Sequence, residues 1–153
     1  MKAILLALFL FTSSLVSAQN LKFKIGYEGS GSSTLKFGTE LFEGKFSGNH
    51  QTLVVKLKNV SNRNIELHEG AIQLLDITGK GAVLCGYNDL VLEPSDKVTL
   101  ELSNCNDDSY RGLFQLRREY SSRQLFYDDA IFLSNKTFKL VIGSEEVKFL
   151  TDL

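Results

Sequence analysis

Tryptophan is absent from the 153 residues, proline occurs once, at Pro94, and histidine twice, at His50 and His68. Without tryptophan the chain lacks the broadest ring for stacking against sugars. Cysteine is confined to Cys85 and Cys105, with no Cys-x-x-Cys spacing and no histidine close by in sequence. That spacing speaks against a redox or metal pair and for a disulfide, given an oxidising compartment. Neither sign of charge predominates: 17 basic residues stand against 18 acidic ones, a formal net charge of −1. A near-neutral chain has no broad field to hold nucleic acid or an anionic membrane, so neither partner is expected. Also missing is an apolar run of the ~20 residues that a spanning helix needs.

The nearest approach to such a run is at the start. Met1-Lys2 is followed by Ala3–Phe11, nine apolar residues, and then by Val16-Ser17-Ala18. A short positive region, an apolar stretch and small residues at −3 and −1 predict a signal peptide over 1–18. Cleavage before Gln19 leaves 19–153 as one exported domain, periplasmic or extracellular. Loss of Lys2 takes the net charge from −1 to −2.

The remainder reads with a period of two. Leu21, Phe23, Ile25 and Tyr27 alternate with polar residues or glycine, as do Val98, Leu100 and Leu102 with polar ones, and Leu53, Val55 and Leu57 continue the pattern, interleaved with Val54, Lys56 and Lys58. Phe138, Leu140 and Ile142 close the series. This pattern predicts strands with one face in the core. In Ala71–Ile77 the phase changes between Leu74 and Leu75, the mark of a bulge or of a strand covered on both faces. Leu35–Phe42 reads as one short strand. Turn chemistry falls at 61–64, 78–81 and 93–96, and Gly143-Ser144 suits a two-residue type II′ hairpin. Short strands, regular turns and no long amphipathic helix predict an antiparallel β-sandwich or barrel.

Leu53-Val-Val-Lys-Leu-Lys-Asn-Val-Ser-Asn62, followed by Ile65, then Ile72-Gln-Leu-Leu-Asp-Ile-Thr-Gly79 and Leu92-Glu-Pro-Ser-Asp-Lys-Val-Thr-Leu-Glu-Leu102 carry a family resemblance. The succession resembles the immunoglobulin-like, telokin-like domains of exported bacterial proteins, and Asp129–Leu133 and Phe138–Gly143 fit the same plan. The resemblance implies an all-β, antiparallel immunoglobulin-like β-sandwich. It supplies no catalytic residues, and its motifs are turn chemistry, which speaks for fold. Serine and aspartate follow Pro94 where the pattern often has a turn glycine, and the two cysteines lie outside it.

Chemistry-bearing motifs are few. No nucleophile elbow, His-Glu-x-x-His, phosphate loop or dinucleotide fingerprint occurs, so no enzyme and no cofactor are expected. His50 or His68 would serve a small hydrolase only if the fold brought a serine and a carboxylate to it. Asp107, Asp108, Asp128 and Asp129 are candidate calcium ligands from two loops, and with them comes the alternative of a calcium-assisted carbohydrate-binding module. Four of the five arginines, Arg111, Arg117, Arg118 and Arg123, fall within thirteen residues, interleaved with Tyr110, Tyr120 and Tyr127. Arginine and tyrosine are enriched at contact surfaces, which makes this segment the candidate contact for a protein or cell-surface partner. The competing reading is a solvated rim paired with the neighbouring acids. The expected function is thus a non-catalytic binding or structural module.

Overall fold

Alternating apolar residues need a second apolar surface to cover them, and a long sheet can supply one by bending over itself. A computed structural model describes residues 21–25, 33–49, 51–105 and 136–152. Among these residues there are eleven strands and no helix. They are β1 (Lys22–Lys24), β2 (Leu35–Gly38), β3 (Phe42–Gly48), β4 (Thr52–Asn59), β5 (Ile65–Leu67) and β6 (Ile72–Asp76). The remainder are β7 (Gly81–Cys85), β8 (Leu90–Leu92), β9 (Lys97–Asn104), β10 (Thr137–Ile142) and β11 (Glu145–Asp152). The described residues are all-β.

Nine strands form one sheet in the order β1-β11-β10-β6-β7-β9-β4-β3-β2, and β5 pairs with β8 separately. All pairings are antiparallel except β1 with β11, which is parallel. The two halves of the large sheet are joined by a narrow step, where β7 meets β9 only at Leu84↔Asn104 and Cys85↔Ser103. Folding at that step brings the halves face to face. Phe46 of β3 then packs between Phe23 of β1 and Phe149 of β11, with ring centroids 4.9 and 5.1 Å away. Near the outer edges, Ser33 N–H donates to Lys24 O at 3.2 Å and Lys24 N–H donates to Ser33 Oγ at 2.7 Å. The sheet is therefore nearly barrel-shaped.

Local chemistry fixes the corners. Leu35–Phe42 is not one strand: the chain turns at Thr39, whose Oγ1 accepts the Phe42 N–H at 3.1 Å, and Phe42 opens β3. The Ile142↔Glu145 pair leaves a two-residue loop with Gly143 at φ 60° and no positive φ at Ser144, as a type II′ turn requires. Between β6 and β7, Asp76 Oδ1 accepts from Thr78 N–H and Oγ1–H and from Lys80 N–H. The Thr78 hydroxyl above all holds this carboxyl below the usual aspartate range. No bulge interrupts β6, whose register with β10 is unbroken from Ile72 to Asp76; Leu75, half-buried, lies on the outer face.

Candidate functional site

Register decides which lysines meet. Across β2, β3, β4 and β9 the buried ladder Leu35–Phe46–Val55–Leu100 and the ladder Phe37–Gly44–Leu57–Val98 face inward. Side chains alternate along a strand, so the row between them points outward. That row is Lys36–Lys45–Lys56–Thr99, all exposed. The next outward row is Gly38–Glu43–Lys58–Lys97. These two rows, together with the inward ladder Phe37–Gly44–Leu57–Val98, line one open groove of about 1180 Å³, to which Leu21 and Glu146–Lys148 also contribute.

Three lysines directly opposite one another on neighbouring strands are a local liability. Strands lie ~4.8 Å apart, and like charges facing across a ladder destabilise it by roughly 0.2–1 kcal/mol per pair. Half of the twelve basic residues in the described part of the chain line this groove: Lys36, Lys45, Lys56, Lys58, Lys97 and Lys148. None of the six forms an ion pair with a described residue. Of the two carboxylates that line the groove among the described residues, Glu146 is engaged by Lys139 at 3.5 Å, which leaves Glu43 as the other. A chain with a net charge of −1 thus presents one concave face where cations outnumber anions.

His68 follows β5 and sits among carboxylates. Its Nδ1 lies 3.4 Å from Asp89 Oδ2, its Nε2 lies 3.8 Å from Glu66 Oε2, and the ring is 70% exposed. Asp89 also accepts the Glu69 N–H at 2.7 Å; that bond, with His68, holds its carboxyl below the usual range. A general base needs a ring nitrogen aimed at the proton it removes. Here both nitrogens are directed at acids rather than at a serine. The backbone beneath is pinned by Tyr87, whose hydroxyl donates to His68 O at 2.8 Å and accepts the Ile72 N–H at 3.2 Å. Burial pushes the Tyr87 phenol up.

Cys85 and Cys105 are joined in a disulfide, Cα atoms 4.9 Å apart, at the step between β7 and β9. Cys105 N–H donates to Val83 O at 2.9 Å, which continues that pairing. The other sequence candidates fall elsewhere. His50, the acidic pairs Asp107-Asp108 and Asp128-Asp129, and the segment with Tyr110, Arg111, Arg117, Arg118, Tyr120 and Arg123 lie outside the described residues. Among the described residues no group of three His, Cys, Asp or Glu is placed to hold a metal, and no helix is long and apolar enough to cross a membrane.

The lysine face escaped the sequence reading. Lys56 and Lys58 are visible as the polar positions of Val-Lys-Leu-Lys, but nothing local shows that Lys36 and Lys45 stand beside Lys56. No family model matches the chain, and no curated protein matches it. Among solved structures, the yjhA protein from Bacillus subtilis is similar over 85% of this chain and 98% of its own, at 12% identity and a TM-score of 0.40.

Proposed function

We propose that this chain is an exported, non-catalytic binding module, an immunoglobulin-like β-sandwich of the telokin-like kind, that engages an anionic partner through its lysine face. The observation that carries the reading is the ladder Lys36–Lys45–Lys56, three cations in register with no carboxylate directly opposite them among the described residues. Keeping that repulsion lowers stability, and a bound anion relieves it. Export is supported by the apolar run Ala3–Phe11 with its Val16-Ser17-Ala18 ending, and by the disulfide, which persists in oxidising compartments. The two facing halves of the sheet and the parallel pairing of the first described strand with the last support the sandwich plan. The non-catalytic character rests on the absence of catalytic motifs from the sequence and on a His68 ring directed at carboxylates.

A sulfonate cation-exchange matrix at pH 7 tests the face directly. A chain of net charge near −1 has no reason to be retained there unless its cations are gathered. The native protein is expected to bind at low salt and elute as salt rises, with Lys36→Gln/Lys45→Gln/Lys56→Gln in the flow-through. Equal retention of the native and triple-variant proteins would defeat the proposal.

A further inference from the structure

Resting on that anion-binding reading, we infer that the partner is an acidic polysaccharide, a sparsely charged linear chain laid across β2, β3, β4 and β9.

Three features select this class. The first is extent: the cations run from β2 to β9, three strand spacings or roughly 14 Å, before Lys148 on β11 is counted. A single phosphate or carboxylate engages one or two of them; an extended chain engages the row. The second is concavity. The lysines line a groove that also takes in Glu146–Lys148 of β11, so a flat bilayer does not reach its floor while a single chain does.

The third is the company the lysines keep. Glu43 stands directly opposite Lys58, and Thr99 ends the Lys36–Lys45–Lys56 row. A carboxylate in the track repels a dense polyanion but accepts hydrogen bonds from hydroxyl groups, and a threonine hydroxyl both donates and accepts. Sugar rings that alternate hydroxyls with an occasional carboxylate or sulfate satisfy both, whereas polyphosphate has no hydroxyl donor to offer. Among the described residues the groove holds no arginine to fork a phosphate, which disfavours a nucleic acid.

The test is equilibrium binding of the full chain to polygalacturonate and to heparin at low salt. Comparison probes are polyphosphate, single-stranded DNA and phosphatidylglycerol vesicles at matched charge. Lys22→Gln/Lys24→Gln/Lys80→Gln, at exposed lysines outside the groove, is the control, and circular dichroism shows that each variant folds. The glycans are expected to bind most tightly and to weaken at least about tenfold in Lys36→Gln/Lys45→Gln/Lys56→Gln, with the control within about twofold. Glu43→Gln is expected to raise affinity for polyphosphate and narrow the glycan preference. Polyphosphate, DNA or vesicles binding as tightly as either glycan would overturn the polysaccharide assignment while leaving the anion face in place. If the groove triple leaves every probe's affinity unchanged, the anion-binding reading fails as well.

Discussion

Asn59 is fully buried and uses both ends of its amide. Its Nδ2 donates to Arg63 O at 2.8 Å and to Leu92 O at 2.9 Å, while Oδ1 accepts from Ser61 N–H at 2.9 Å and Ser61 Oγ–H at 2.7 Å. Its backbone is engaged too, with the N–H donating to Asp96 O and the carbonyl accepting from Ser95 N–H. One side chain thus ties the end of β4 to the turn that launches β9, where Ser95 sits at a positive φ of 72° after Pro94. Asn59→Ala removes the side-chain partner of Leu92 O and of Ser61 N–H, while Arg63 O keeps the Ser61 hydroxyl, at a cost of about 3 kcal/mol in chemical denaturation. Asn59→Asp is the sharper probe, because a carboxylate would then face the Arg63 and Leu92 carbonyls. Burial and those oxygens raise the pKa of the introduced acid in the folded state, so only its neutral form is tolerated. The variant is expected to be closest to wild type in acid, below the ordinary aspartate pKa, and to lose stability progressively as pH rises toward 7. A pH-independent deficit between pH 3 and 7 would contradict this. The turn at 61–64, just beyond Asn59, was legible in the sequence. The role of Asn59 as a buried hub was not, because Leu92 lies 33 residues away.

Strands in which every second residue is apolar were readable from the order of residues alone, as β1, β4, β9 and β10 show. Strand β3, Phe-Glu-Gly-Lys-Phe-Ser-Gly, was not: its core residues are only Phe42 and Phe46, with Gly44 between them. Strand β7 was missed for a related reason, since Gly81-Ala-Val-Leu-Cys85 buries little besides Ala82 and Leu84. Yet β7 is the hinge on which the sheet folds. It reaches β9 through two register pairs, and Gly86 just beyond has φ 124° with no room for a Cβ against Glu101 O. The disulfide reinforces a junction that has few ladder bonds of its own. Closing a loop across 20 residues removes about 3 kcal/mol of chain entropy from the unfolded state. Cys85→Ser/Cys105→Ser is expected to lose about that much, and reduction of the native protein should lower its melting temperature to match. Thiol labelling in the folded protein without reductant should find no free cysteine. Equal melting of native and double-serine proteins would mean that the step holds without its covalent tie.

At the scale of the molecule, the near-zero net charge proved a poor guide to the surface. Summed over the chain the charges cancel, but strand register sorts them, and the sorting depends on pairings such as Lys45↔Lys56 that no sequence window contains. The closure of the sheet is hidden in the same way. Phe23 reads as an inward residue of its own strand, whereas Phe46 and Phe149 carried no such reading, and only the fold makes them and Phe37 one cluster. Phe46 is its centre, 1% exposed and within 6.1 Å, ring to ring, of each of the other three. Because Phe23 and Phe149 come from one half of the sheet and Phe37 and Phe46 from the other, this contact ties the halves together beyond the two Ser33–Lys24 hydrogen bonds near their edges. Phe46→Ala therefore removes more than one side chain's transfer energy, since the cavity it leaves lies between the two walls. It should cost about 3–5 kcal/mol, whereas Val91→Ala, at a residue 54% exposed, should stay within about 0.5 kcal/mol. Both are measurable by denaturant titration, and hydrogen exchange adds a spatial readout. Loss of Phe46 should speed exchange in β1 and β11 as well as in β3, because the halves part together. Exchange confined to β3 would show instead that each half of the sheet stands without the other.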